Sequence, residues 1–528
     1  MRRLLFILLL IPVCLTAQER QSTTRADECI TIFNDVMRQV DVNYVDTLNY
    51  EDLTETAINA MLHKIDPYTI YYPKKNDREL RMMTTGKYGG IGSIIQQRKL
   101  KDGSDEMATY IVNPYEGKPA QQAGLLAGDR ILSVDGIATK GLTVSEVSNN
   151  LRGVPGTTVV LKIQREGVAK PFKVDIVRED IHLEPITYSA VFAADSLSEP
   201  VGYIAFGEFT EGSAQAFSNT LDDLYYNQGA RRLIIDLRNN GGGIVDEALQ
   251  MVNLFVEQGQ MVVETKGKTA NSNRIYRTRS NPRYKDLPLI ILVNKNSASA
   301  SEIVAGSLQD LKRAKLIGQR TFGKGLVQNV RPVAFGGHVK VTTSKYYLPS
   351  GRCIQAIDYS ERQKGRELKK DTAGGILPDI VMDDSSKVDI CYSLYVNNYF
   401  FDYATQYHRL HEQIADPKEF ELTDTDIDDF CAFLDERKFT YETETSKFFN
   451  DMLKMAQHED IDSNTLQQLE ALEPMLKPDY REAIRRNIDE VKEMLGEEIV
   501  LRYYYQRGQA AYQLRFDDEF GRALQELK

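Results

Sequence analysis

Apolar residues recur along this chain in distinct patterns, and each pattern predicts a different kind of element. Between Asp27 and Arg81 the spacing is helical: Ile30, Phe33, Val36, Met37 and Val40 share one stripe, followed by Leu53, Ala57, Ile58 and Met61. This predicts an N-terminal helical region over residues 25–84. From Ile186 to about Met382, strand-like runs such as Val201–Phe206 and Leu287–Val293 alternate with helical patterns, which predicts an α/β core over residues 181–384. Beyond Ser385 the chain turns to long mixed-charge helical patterns. Ile484, Ile488, Val491 and Leu495 mark one face of a helix started near Pro478, so residues 385–528 are expected to be helical. This tail carries no catalytic constellation. It reads as a helical cap over the core or a dimerisation arm, with a separate substrate-binding module as the alternative.

The first residues, Met1-Arg-Arg followed by a short apolar stretch and Ala17, fit a secretory signal peptide over residues 1–17, which would place the mature protein in the periplasm or outside the cell. An uncleaved anchor is the alternative, but the run is shorter than the ~20 residues a spanning helix needs. Cys14 follows Val13, where lipidation calls for a small residue. The length of 528 residues implies several domains, and 42% hydrophobic with 27% charged residues is ordinary for globular protein. A net charge of -11 and the lack of a basic cluster argue against a nucleic-acid partner. Cys29, Cys353, Cys391 and Cys431 are too scattered for a metal motif or a dense disulfide framework; one disulfide or four free thiols both fit. His408 and His411 lie three apart on a helical pattern without a carboxylate set, so neither a metal nor another cofactor is expected.

Chemistry concentrates in two segments, Ser297-Ala-Ser-Ala-Ser-Glu302 and Thr321-Phe-Gly-Lys-Gly325. The first follows an apolar strand pattern and opens a helical one, so its serines sit at a strand-to-helix corner. Backbone N–H groups in the first turn of a helix lack intrahelical partners, and the dipole adds positive potential, so an oxyanion formed there is stabilised. A serine needs an adjacent base, which a lysine supplies when burial or positive neighbours lower its pKa. The two segments together suggest a Ser/Lys hydrolase; taken singly, the serines read as helix caps and the lysine as a solvated charge. Upstream, Arg232-Leu-Ile-Ile-Asp-Leu-Arg-Asn-Asn-Gly-Gly-Gly243 runs from a buried-strand pattern into a glycine turn.

These motifs resemble the C-terminal processing peptidases, or tail-specific proteases, of the S41 serine peptidase family. The resemblance implies that Ser299, the middle serine, is the nucleophile, that Lys324 is the general base, and that Gln328 stands four residues later on the same strand. Residues i and i+4 of a strand share a face, which would place the Gln328 amide to orient the lysine. Ser297 and Ser301 become neighbours or caps. In the family the glycine turn helps form the oxyanion hole. Glycine lets backbone N–H groups approach a ligand, so Gly242 with Ala300 is the candidate donor pair, the choice between Gly242 and Gly243 staying open. Gly241 stands where the family usually has proline. Ile65–Tyr72 resembles the family's L-D-P-H-S segment with Tyr68 at the histidine position, and Tyr346–Ile354 and Gly374–Ile380 resemble segments that close the core, with Leu348 where threonine is usual. The implied fold is multidomain α/β: a Ser/Lys peptidase core of the crotonase/ClpP-like kind with an inserted PDZ domain and helical N- and C-terminal regions.

The PDZ resemblance covers residues 85–180. It rests on Tyr88-Gly-Gly-Ile-Gly-Ser-Ile-Ile95 and on Pro119–Gly136. A glycine-rich turn leading into an edge strand offers N–H groups to a terminal carboxylate and a ladder to an extended peptide. Gly90, Ile91, Gly92 and Ile94 are the expected loop and strand positions, with Val144, Val147 and Leu151 as the groove's far wall. The expected partners are proteins or peptides with apolar C-termini; a homodimer and an adaptor protein are left open. Function reads as a secreted serine endopeptidase that captures and cleaves protein tails, with a catalytically silent PDZ scaffold as the alternative.

Overall fold

Side-chain alternation along parallel strands decides where the main core lies. The structure, a computed structural model, describes residues 10–100, 106–193, 198–363, 367–368, 374–382, 389–459, 461–476 and 478–528. Residues 1–9 of the expected signal peptide and the expected boundary at 384–385 lie outside this set. One sheet runs in the order Ile186–Phe192, Val201–Phe206, Arg232–Asp236, Leu289–Val293, Lys315–Gly318 and Ile380–Val381. Its first pair is antiparallel and the others are parallel. Parallel strands are covered on both faces and so read as unbroken apolar runs; Leu289–Val293 is buried throughout. Leu233, Ile235 and Ile291 point to one side, where they meet Phe217, Met251 and Ile303 of three helices, Ser213–Asp222, Val245–Asn253 and Ala300–Asp310. Ile234, Ile290 and Leu292 point to the other. That second face is covered by the far end of the chain: Leu514, and Phe520 and Ala523 of the helix Asp518–Glu526. Phe520 packs edge-on against Phe192 at 4.8 Å and Tyr203 at 5.3 Å.

The chain divides into two compact units, residues 1–73 with 330–341 and residues 74–329 with 342–528. In the first, helices Leu10–Asn43 and Tyr50–His63 form, and the strand Ile70–Tyr72 pairs antiparallel with His338–Lys340. The expected helical run is interrupted at Asp66, whose Oδ1 accepts the N–H groups of Tyr68 at 2.8 Å and Thr69 at 2.7 Å, a side-chain turn that competes with helix. Ile30, Phe33 and Val36 are more than half exposed, so the helix of the sequence pattern is present but its stripe is not packed as expected.

In the second unit, the expected PDZ region is an antiparallel sheet of Ser93–Lys99, Met107–Pro114, Arg130–Val134, Thr158–Gln164 and Phe172–Val177 in that order. Ser93–Lys99 forms one edge, and the helix Val144–Leu151 lies beside it. The short strands Lys87–Gly90 and Glu179–His182 pair where the chain enters and leaves this region. In the tail, Ile484, Val491 and Leu495 are fully buried in a cluster with Phe400, Phe430 and Val500, while Ile488 is partly buried against it. The segment Ile488–Gln513 reverses at Tyr505, whose φ of 52° and ψ of -159° are not helical. Past that point the chain folds back, so that Gln509 and Gln513 both donate to Glu497 and Tyr512 donates to the Lys492 carbonyl. The tip meets the PDZ region, where Gln121 Nε2 donates to the Tyr505 hydroxyl at 2.9 Å, and a second contact comes from the helix Tyr399–Leu410, with the Arg98 guanidinium 3.6 Å above the Phe401 ring.

Phe217 sits fully buried between Phe206 at 5.8 Å and Phe255 at 6.3 Å. Phe217→Ala is expected to cost about 3–5 kcal/mol. Urea unfolding checks this as a lower midpoint at unchanged slope.

Candidate active site

The three serines of the corner have different surroundings. Ser297 and Ser301 are fully buried. Ser297 Oγ donates to the Leu237 carbonyl at 2.7 Å and accepts the Asn294 N–H at 3.0 Å, while Ser301 Oγ donates to the Asn240 carbonyl at 2.9 Å. Both therefore stitch the corner to the glycine turn. Ser299 is half-buried and has φ of 57° and ψ of -112°, backbone that a non-glycine residue rarely adopts unless its surroundings impose it.

Those surroundings centre on Glu302, which has no exposed surface. Its Oε2 accepts the N–H of Ser299 at 2.9 Å and of Lys324 at 2.9 Å; its Oε1 accepts the N–H of Gly323 at 2.8 Å and the hydroxyl of Thr321 at 2.6 Å. Burial pushes its carboxyl above the ordinary range, while these four hydrogen bonds oppose the shift without cancelling it. On the other side of the same two residues, the buried Tyr346 hydroxyl lies 2.7 Å from the Lys324 carbonyl and 3.1 Å from the Ser299 carbonyl, sharing its one proton between them. Serine and lysine are thus tied through both N–H and C=O by two buried side chains.

Lys324 is not on a strand. Leu326–Pro332 begins two residues later, because the N–H groups of Gly323, Lys324 and Gly325 go to the side chains of Glu302 and Gln355 rather than to a ladder. The shared-face argument for Gln328 is corrected accordingly. The Gln328 amide lies 3.3 Å from the Leu326 carbonyl and 3.2 Å from Thr342 Oγ1.

At the glycine turn, a Cβ on Gly242 would fall 2.6 Å from the Ala298 carbonyl, 2.8 Å from the Ala300 nitrogen and 2.8 Å from Ser299 Cβ, so only glycine fits against the corner. The Gly242 N–H, however, donates to Asn240 Oδ1 at 2.8 Å, and the Asn240 Nδ2 is fixed on the Phe206 carbonyl at 2.7 Å. The expected role of Gly242 as an open N–H donor is therefore corrected: its place in this structure is one of close approach. Ala300 opens the helix, and its N–H has no intrahelical acceptor. Gly243 bridges to Phe209. At Gly241 nothing lies within 4 Å of an added Cβ, so the position where the family usually has proline is open.

The PDZ positions divide. Ile91, Val147 and Leu151 belong to the interior of that domain, at 3%, 0% and 5% exposure, which corrects their placement as groove lining: helical spacing alone does not separate the groove side of Val144–Leu151 from its core side. Ile94 is exposed on the edge strand itself, Val144 is half-buried at the start of the helix beside it, and Gly90 and Gly92, the latter with φ of 70°, precede the strand. Among the described residues no three His, Cys, Asp or Glu side chains gather as a metal site, and none of Cys29, Cys353, Cys391 and Cys431 forms a disulfide. Sequence reasoning passed over Glu302, Thr321, Tyr346 and Asn240. Only Glu302 had a legible signal, a Ser-x-x-Glu pattern at a helix start.

Comparison with known proteins places these features in families. Residues 200–382 match the profile of Peptidase family S41, residues 110–165 that of the PDZ domain, and residues 390–527 that described as "Probable PDZ-protease, C-terminal helical domain". A carboxy-terminal-processing protease of Bartonella bacilliformis is 32% identical over 379 residues, covering 71% of this chain and 79% of the relative. A CtpA-like serine protease of Staphylococcus haemolyticus is 32% identical over 342 residues, 64% of each chain. The solved structure of a photosystem II D1 C-terminal processing protease is 28% identical, covering 64% of this chain and 84% of that one, with a TM-score of 0.38.

Gly242→Ala is expected to lower kcat by about a hundredfold or more while far-UV circular dichroism stays unchanged, since the added methyl must displace the Ser299 corner. Glu302→Gln is expected to lower kcat by about tenfold or more, measured by steady-state peptide hydrolysis. It also has a pH signature. With its folded pKa raised above the ordinary 4.5, Glu302 favours folding below that pH, and the contribution is lost as pH rises through the raised value. Urea unfolding across that window should show a falling stability in the parent and a flatter profile in the glutamine variant.

Proposed function

The chain belongs to peptidase family S41 and is a serine-type protease that processes C-termini; from that premise we propose that Ser299 is its nucleophile, Lys324 its general base and the PDZ region the captor of the substrate's tail. The observation that carries this reading is the double tie of Ser299 and Lys324 through Glu302 and Tyr346. Ser299 Oγ attacks the scissile carbonyl carbon as its proton passes to the neutral Lys324 amine. The oxyanion forms opposite the Ala300 N–H at the positive end of the helix, with Gly242 alongside. The leaving amine takes the proton from Lys324 as the C–N bond breaks. Water then enters, Lys324 accepts its proton, and the ester of Ser299 is hydrolysed. Gln328, held at the Leu326 carbonyl and Thr342, steadies the strand that follows the base.

Substrate enters through the edge strand Ser93–Lys99, to which an extended tail adds as a further strand, with Ile94 and Val144 favouring apolar terminal residues. The proposed division is an N-terminal helical region at 25–84, the PDZ domain at 85–180, the peptidase core at 181–384 and the helical region at 385–528. Residues 1–17 act as a signal that takes the enzyme to the periplasm or beyond, and among the described residues no helix is long and apolar enough to cross a membrane.

Ser299→Ala and Lys324→Ala are expected to reduce cleavage of a peptide with an apolar C-terminus by roughly a thousandfold or more. Mass spectrometry of the products checks this. Undiminished cleavage by either folded variant would remove that residue from its role.

A further inference from the structure

The glycine turn is fastened residue by residue. Leu237 is held by the Leu292 carbonyl and Ser297 Oγ, Asn239 by the side chains of Asn294 and Asn296, and Asn240 by the Phe206 carbonyl, Ala298 and Ser301. All of these partners lie in the peptidase core. Arg238 differs. Its guanidinium meets Asp236 of the core, but also Asp517 Oδ2 at 2.5 Å and Glu519 Oε2 at 2.7 Å from the far end of the chain.

We propose that Asp517 and Glu519 are positioning residues for peptide cleavage: through Arg238 they fix the turn whose Gly242 abuts Ser299, making the C-terminal helix a working part of the active site. This rests on the reading of Ser299 given above. Arg238 has a side-chain exposure of 18%, and Asp236, Asp517 and Glu519 of 9%, 14% and 15%. A guanidinium fork presents several N–H groups in one plane, so one arginine serves all three carboxylates, and bonds between ionised partners are the strong ones. Asp236, two residues away, takes Nε and Nη2 of Arg238, while Glu519 takes Nη1 and Asp517 shares Nη2, so the C-terminal carboxylates hold the outer end of the fork. The geometry of the helix makes its two carboxylates rigid partners. Asp517 Oδ1 caps the helix by accepting the Phe520 N–H at 2.9 Å while its Oδ2 holds Arg238. Phe520 in turn packs on Tyr203, whose hydroxyl donates to Asp236 Oδ2 at 2.7 Å. The same helix therefore reaches the Arg238–Asp236 pair from two sides.

The helix also has an anchor that does not touch Arg238: Glu526 Oε2 accepts from Lys315 Nζ at 2.7 Å. This separates positioning from mere docking. In the full-length protein, Asp517→Asn with Glu519→Gln is expected to lower kcat for a tail peptide about tenfold or more while KM changes less than about twofold. Glu526→Gln is expected to leave both constants unchanged, and Asp517→Glu to retain most of kcat. If the double variant fails to fold by circular dichroism, the single Asp517→Asn and Glu519→Gln variants carry the same kcat test. An unmoved kcat in these variants, or an equal loss in Glu526→Gln, would overturn the inference while hydrolysis remained dependent on Ser299. Hydrolysis that persists in Ser299→Ala would overturn the site reading and this inference with it.

Discussion

Ser299 begins one helix and Lys324 lies in a loop after the next strand, and the Glu302 carboxylate joins them. A buried charge costs several kcal/mol unless its lone pairs are filled. Here four donors fill them, and the dependence is mutual: without the carboxylate, the N–H groups it receives would lose their acceptor, at about 1–3 kcal/mol for each buried one. The loop carrying Lys324 is consequently shaped by Glu302, the third residue of the helix that Ser299 begins. Tyr346 closes the opposite side. Both side chains grip Ser299 and Lys324 by their backbone groups.

The same logic extends outward from the sheet. Parallel strands bury both faces, and the second face is closed by residues near the C-terminus. Once that helix is required for packing, its leading carboxylates lie next to the turn that stands over Ser299. Earlier in the tail, the contact with the PDZ region uses an arginine whose burial is not fully compensated: Arg98 is pulled down to about 10 by burial against Phe401, with Asp402 3.8 Å away opposing the shift. One helical tail thus touches both the PDZ region and the turn beside Ser299.

Much of this was legible in the chain itself. The apolar runs foretold the core strands, and the serine segment between a strand pattern and a helical one marked a strand-to-helix corner. Local reading failed where partners come from afar. Asp517 and Arg238 are distant in sequence, and nothing in either neighbourhood points to the other. The Lys324 loop was taken for strand because its diversion depends on the side chains of Glu302 and Gln355. The groove residues erred for a geometric reason: Val147 and Leu151 share a helical face with Val144, and periodicity marks a face as apolar without saying whether it meets a core or a ligand. The exposed stripe of Ile30, Phe33 and Val36 shows the same limit.

The central claim is that this backbone tie makes Ser299, alone among the three serines of the corner, a nucleophile. Its most direct test is to treat the full-length protein with a serine-directed phosphonate and map the adduct by peptide mass spectrometry. The account predicts a single adduct on Ser299, formed about tenfold or more slowly in Glu302→Gln at equal reagent. An adduct on Ser297 or Ser301, or labelling of Ser299 that is indifferent to Glu302, would contradict it.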